Sequence, residues 1–352
     1  MNKINAFQLD CGRMFFEIED ILEFTEAMAE GGKNTLILAF GNEGCRFLLD
    51  DMSVKTETNC FSSEKVLAAV RKGNEFYRNC VLKENGNSSK NELNEAEMLR
   101  LFDLCKKNKI QIVPLLNSPG HMSALLKALE ELGLKKVRYE NSKTTIDLKN
   151  KEAVEVLKAV IQKYINWFAA QGCKYFHLGC DEYANDVLHN GFKSLQNPEA
   201  YSYDSFINYV NQMALQVKKQ GMIPIMFNDG MYFGSYLKNE ALDKNIICAY
   251  WSKGWSGYEL TEAQNIKEKD HKILNTHNGW YYVLGRHDGD GGNQDFTIEK
   301  AFKGADEILE DEIAGCGKMD VIGKVTCLWC DEPCVLTGRE RQLIKELIKA
   351  GR

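Results

Sequence analysis

Short apolar runs alternate along the chain with longer segments in which apolar residues recur three and four positions apart, the period of a helix with one buried face. The runs are AFQLDC from Ala6, TLILAF from Thr35, IQIVPLL from Ile110, KYFHLG from Lys174, MIPIMF from Met222, IICAYW from Ile246, KILNT from Lys272 and KVTCLW from Lys324. Helices are expected over Asp20–Glu30, Leu93–Lys107, Glu152–Ala170, Ser205–Lys219 and Glu340–Ala350. Strands apolar on both faces, separated by amphipathic helices, predict an α/β fold with a parallel sheet covered on both sides, the (β/α)8 TIM barrel.

Nothing in the sequence divides the chain. It has five prolines and no linker rich in Ser, Pro or Gly, so residues 1–352 are expected to form one (β/α)8 catalytic domain. With 44% hydrophobic and 10% aromatic residues, 352 residues bury a core of the size a barrel needs. The net charge of −6 and the lack of a Lys/Arg cluster argue against nucleic acid as a partner. No 18-residue apolar stretch and no signal-peptide pattern occur, so no membrane span is expected. As written the chain reads as cytoplasmic, although a piece cut from a cell-surface or secreted protein would read the same. Its 12 cysteines are scattered, many inside apolar runs, which suits reduced thiols. Lys83–Glu92 and Arg286–Asp295 read as surface loops, and the acidic spacing of the second misses the calcium-loop pattern, so neither metal nor cofactor is expected. Oligomeric state is not legible.

In such a barrel the chemistry sits where the strands' C-terminal ends open into loops. Asp10 and Arg13 follow the first strand, Asn42 the second, Asn117 and His121 the third, and Asp181 and Glu182 the fourth. Asn228 and Asp229 follow the fifth, Trp251 and Trp255 the sixth, Trp280, Tyr281 and Tyr282 the seventh, and Trp329 and Asp331 the eighth. Singly, each has an ordinary explanation as a cap or a core lid. Together, flat aromatic faces with convergent hydrogen-bonding groups fit a monosaccharide ring.

The adjacent acids Asp181 and Glu182 suit glycoside hydrolysis, which needs a protonated carboxyl at the leaving oxygen and a second group that stabilises positive charge. Like charges in a closed site push the two pKa values apart and divide these roles. For both neighbours to reach one ligand, the strand must end before Asp181. Neighbours do not straddle a sugar as nucleophile and acid do, which points to a nucleophile carried by the substrate.

FHLGCDEY and NSPGHM resemble the H-x-G-G-D-E signature and the Pro-Gly-His loop of glycoside hydrolase family 20, the β-N-acetylhexosaminidases. LDCGRMFF, GNEGCRFLLDDMS, DEYAND, FNDGMY and LNTHNGWYYVLGR extend the likeness from about Leu9 to Trp329, most closely to the catalytic modules of bacterial cell-surface exo-β-N-acetylglucosaminidases. The resemblance implies exo-acting removal of terminal β-linked GlcNAc or GalNAc from glycans, with the 2-acetamido oxygen as nucleophile and an oxazolinium intermediate that water opens with retention. It implies Glu182 as general acid and then base, Asp181 as acceptor of the acetamido N–H, and Tyr281 as donor to the acetamido oxygen. Arg13 and Asp331 are then expected on sugar hydroxyls, Trp329 on the sugar face, and Trp251 and Trp280 around the acetamido group. His121 is expected at the substrate beside the acids and His177 behind them, with a plain core histidine equally open for His177.

Several positions depart from the family pattern. Cys180 replaces the second Gly of the signature and reads as packing. Phe227 stands where many relatives have Trp. GNEG replaces an acidic pair, which leaves hydroxyl recognition there to Asn42, with Asp229 completing the substrate-facing set. The small α+β domain that often precedes the barrel is missing, which supports a stand-alone module. Three rival functions remain at this stage: a transglycosylase using the same intermediate, a carbohydrate-binding barrel without catalysis, and a metal or redox protein built on CLWCDEPC, Cys327–Cys334. The last needs a further ligand such as His277 or Cys248. Against it stands the reading of Cys327 as barrel core.

Overall fold

The computed structural model describes residues 3–76, 90–187, 203–232, 242–252, 258, 261–276, 281–284, 297–307, 312–313, 317–318, 321–331 and 336–350, without the side chains at 76, 281–282, 304–307, 312–313 and 317–318. Eight parallel strands close a ring: β1 (Ile4–Leu9), β2 (Thr35–Asn42), β3 (Gln111–Leu116), β4 (Tyr175–His177), β5 (Ile223–Phe227), β6 (Ile247–Tyr250), β7 (Ile273–Asn275) and β8 (Gly323–Trp329). β8 pairs back onto β1 from Ile4↔Gly323 to Leu9↔Leu328, which removes every open edge. Each strand falls on one of the apolar runs read from the sequence. The segment Tyr281–Val283 pairs with Cys327–Trp329 of β8, so the seventh position is built in two pieces around a break after Asn275.

Alternate residues face inward. Ala6, Ile37, Val113, Ile225, Ala249 and Val325 belong to one apolar cluster inside the ring, while the other faces of the strands pack beneath the helices. Cys327 is a member of the inner cluster, so it is barrel core. His277 and Cys334 lie outside the described residues, as do Trp255 and the loop Arg286–Asp295.

The helices are α1 (Ile18–Glu30), α2 (Ser63–Phe76), α3 (Glu95–Lys107), α4 (Ser123–Glu131), α5 (Lys151–Ala170), α6 (Tyr203–Lys219), α7 (Ala263–Glu268), α8 (Ile298–Glu307) and α9 (Gly338–Lys349). Asn94, Asn150 and Thr337 cap α3, α5 and α9 through side-chain oxygens, each stabilising its helix by about 1 kcal/mol. Among the described residues the connections β2–β3 and β3–β4 carry two helices each, α2 with α3 and α4 with α5, where the sequence indicated one. Gly73 explains part of this. It weakens the helical signal of α2, yet a Cβ there would stand 2.1 Å from the Ala124 carbonyl oxygen, so glycine is what lets α2 and α4 approach backbone to backbone. Among the described residues no helix is long and apolar enough to cross a membrane.

Candidate active site

β4 ends at His177, and the chain then turns through two left-handed residues, Gly179 (φ 71°) and Cys180 (φ 68°). Asp181 and Glu182 are therefore off the strand, as a shared ligand requires, with 12% and 26% of their side chains exposed. A side chain on Gly179 would collide with Asn117, its Cβ falling 2.1 Å from Oδ1. Asn117 instead ties the turn down: Oδ1 accepts the Cys180 N–H at 3.0 Å, and Nδ2 donates to Asp181 Oδ1 at 2.6 Å.

His121 stands between the acids and Glu43. Its Nε2 lies 3.3 Å from Glu182 Oε2 and 3.7 Å from Asp181 Oδ2, and its Nδ1 lies 2.9 Å from Glu43 Oε1. The second oxygen of Glu43 accepts from the Ser123 hydroxyl and N–H. Glu43, His121 and Glu182 all have left-handed backbone (φ 63°, 47° and 47°), a strain of about 1–2 kcal/mol each that the surrounding bonds hold in place.

These neighbours set the charges. Burial works against charge on His121, but the carboxylates of Asp181, Glu182 and Glu43 outweigh it and hold the imidazole well above its ordinary range. Burial raises the Asp181 carboxyl, and Glu182 adds to this against the opposing pull of His121 and Asn117. Burial also acts on Glu182, but the contact and charge of His121 and the charge of Arg13 prevail and lower its pKa. The two carboxyls are thus pushed in opposite directions, Asp181 up and Glu182 down.

On the far side, Arg13 Nη1 lies 2.6 Å from Asp331 Oδ1 and 3.5 Å from Asp10 Oδ2, and its guanidinium carbon sits 5.5 Å over the Trp329 ring. Arg13, Trp329 and Asp331 are thus brought together with His121, 3.4 Å from Arg13 Nη2. Trp251 is buried and packs on Tyr258 with ring centroids 5.1 Å apart.

Asn42 and Asp229, expected at the substrate, sit deeper, and His177 lies behind the acids. Asn42, 1% exposed, donates to Asp10 Oδ1 and accepts from Asn117. Asp229 is fully buried: Oδ2 accepts the Glu182 N–H at 2.7 Å and Oδ1 faces the Trp251 indole N–H at 3.3 Å. Burial and the charge of Asp181 push the Asp229 carboxyl well up, while the Glu182 and Trp251 donors act in the opposite sense. His177 is fully buried against Phe227, accepts the Gly179 N–H at Nδ1, and is kept neutral by burial, which lowers its pKa to about 3. It reaches the acids only through the turn it anchors. Trp280 and the Tyr281 side chain lie outside the described residues, although Tyr281 itself pairs with Cys327 at the top of β8.

The sequence reading passed over Glu43, the acid in GNEG, because it looked there for a pair. It also passed over Asn185, which donates to the Tyr258 hydroxyl at 2.9 Å and lies 3.5 Å from Glu182 Oε2. Among the described residues no group of three or more His, Cys, Asp or Glu side chains is arranged to hold a metal ion.

The model of the glycosyl hydrolase family 20 catalytic domain matches residues 5–333. Two solved structures of the pneumococcal protein StrH superpose with TM-scores of 0.89 and 0.90 at 34% identity, over 99% of this chain and 82% of that one. One of them is described as tandem catalytic modules of an exo-β-D-N-acetylglucosaminidase. Lacto-N-biosidase of Bifidobacterium bifidum is 30% identical over 149 residues, 40% of this chain and only 13% of that protein. A β-N-acetylhexosaminidase of Bacteroides fragilis shares the fold, with a TM-score of 0.69 at 18% identity over 99% of this chain and 66% of that one.

Proposed function

Because the chain belongs to glycosyl hydrolase family 20, we propose that it removes terminal, non-reducing β-linked N-acetylhexosamine from glycans with retention, using the substrate's own acetamido oxygen as nucleophile. The observation that carries this reading is that one imidazole, His121, lies within 3.3 Å of Glu182 and 3.7 Å of Asp181, the two acids standing together past the end of β4.

Asp181 accepts the acetamido N–H, turning the carbonyl oxygen toward the anomeric carbon and stabilising the charge that develops there. Glu182 protonates the leaving oxygen and then deprotonates the water that opens the oxazolinium. An acetamido N–H on Asp181 favours its carboxylate, which is the form its role requires. Tyr281 donates to the acetamido oxygen, with Trp251 and Trp280 as pocket walls. Arg13 and Asp331 take ring hydroxyls, and Trp329 takes a sugar face. His121 keeps both acids in register.

The test is p-nitrophenol release from β-GlcNAc, β-GalNAc and β-glucose glycosides by the wild type and Glu182→Gln. N-acetyl substrates are expected to turn over, the glucoside to resist because it lacks the nucleophile, and the variant to lose about a hundredfold or more. Equal cleavage of the glucoside rules out acetamido assistance. An unimpaired variant removes Glu182 from the acid's role.

A further inference from the structure

We propose that Asp229 is a positioning residue for this reaction: its two carboxylate oxygens hold the backbone of Glu182 and the indole of Trp251 in one frame, so that the acid and the pocket wall keep a fixed relation. The inference rests on Glu182 being the general acid.

Asp229 follows the last residue of β5, Phe227, by two positions and is fully buried, so it does not reach a sugar. Its partners converge from two other loops, the Glu182 N–H at 2.7 Å on Oδ2 and the Trp251 Nε1–H at 3.3 Å on Oδ1. The neighbouring Asn228 Oδ1 accepts the Trp251 backbone N–H at 2.8 Å, so consecutive residues grip Trp251 at both ends. Glu182 has a left-handed backbone (φ 47°), a conformation that persists only when its surroundings fix it. A third carboxyl beside Asp181 and Glu182 is an expensive way to fill space, and asparagine has the same shape without that cost. What asparagine lacks is a second acceptor. A carboxyl group has an oxygen for each of the two converging donors, and those donors act against the burial and the Asp181 charge that push its pKa well up.

The test measures kcat/KM of Asp229→Asn on β-GlcNAc glycosides of phenol and of 2,4-dinitrophenol, alone and combined with Trp251→Phe. A displaced acid matters most when the leaving group needs a proton. The expected loss is about tenfold on the phenyl glycoside and much smaller on the dinitrophenyl one. In the Trp251→Phe background the loss from Asp229→Asn is expected to shrink, because the single asparagine oxygen then serves Glu182 alone. Equal losses on both glycosides, or strictly additive effects, overturn the proposal. Should Asp229→Asn not fold, Trp251→Phe is measured on the same pair. Greater leaving-group sensitivity than wild type supports the tether, and unchanged sensitivity overturns it. Wild-type turnover of the β-GlcNAc but not the β-glucose glycoside, run alongside, tests the proposed function separately.

Discussion

Glu43 Oε1 lies 2.9 Å from His121 Nδ1, and Glu182 Oε2 lies 3.3 Å from Nε2 of the same ring, so the imidazole is held between two carboxylates. Glu43→Gln removes one of them without changing its shape. The His121 pKa, held up by Asp181, Glu182 and Glu43 against burial, is expected to fall toward the ordinary range. NMR titration of the His121 ring reads this directly, and an unchanged midpoint refutes it. A raised histidine pKa stabilises the fold fully below the unfolded value and less as pH rises through the folded one. The variant is therefore expected to lose stability mainly at neutral pH and below.

His121→Asn removes the positive charge altogether. That charge lowers the pKa of both Asp181 and Glu182, so both are expected to rise in the variant. If Asp181 must be ionised and Glu182 protonated, the two limbs of the kcat/KM profile move together to higher pH, with a lower maximum. A profile that drops in height without moving shows that His121 does not set the charges of the pair.

Arg13 is matched to its surroundings by shape as well as charge, reaching Asp331 at 2.6 Å and Asp10 at 3.5 Å while lying 5.5 Å over Trp329. Lysine keeps the charge but not the planar fork or the stacking. Arg13→Lys is expected to raise KM about tenfold on the β-GlcNAc glycoside with a smaller change in kcat. A variant with unchanged KM takes Arg13 off the substrate.

Much of this was legible because strand and helix periods are local. KYFHLG announces β4 by itself, and Asp181 and Glu182 follow it whatever the rest of the chain does. Burial is not local. Nothing in FNDGMY distinguishes an aspartate that faces a sugar from one that faces Glu182 N–H and Trp251 Nε1–H, because both donors arrive from distant loops. Glu43 was hidden for a different reason: its partner His121 lies 78 residues on, and only closure of β2 against β3 brings them together. Backbone strain was equally invisible. Cys180 occupies a left-handed position (φ 68°) that explains why the family signature has glycine there.

Cys180 adjoins the acids, yet its surroundings disfavour a thiolate. Burial, and then the charges of Asp181 and Asp229, push its pKa well above the usual range, so the thiolate is not formed near neutral pH. Cys180→Ala is expected to keep kcat within about threefold of wild type, and the wild-type activity to survive a thiol-alkylating reagent even as the exposed Cys60 reacts. Loss of a hundredfold in the variant with an unchanged melting temperature returns the thiol to the mechanism.

Lys33 makes stability depend on pH at the opposite end of the barrel. It is 3% exposed, and its Nζ donates to Asn5 Oδ1, Thr326 Oγ1 and the Ala350 carbonyl, each at 3.2 Å. None of these acceptors carries a negative charge. Burial, helped by the charge of Lys324, lowers its pKa from 10.5 to about 7. Below that value both folded and unfolded chains hold the proton. Between about 7 and 10.5 the unfolded chain binds a proton that the folded chain has released, so the stability contributed by this group rises with pH across that window. One titrating site gives at most about 1.4 kcal/mol per pH unit. Urea unfolding at pH 6, 7.5 and 9 is expected to show the wild type gaining on Lys33→Met as pH rises, because the variant has no proton to release. Parallel stability curves for the two chains would mean that Lys33 stays charged in the fold and that its three neutral acceptors suffice to solvate it.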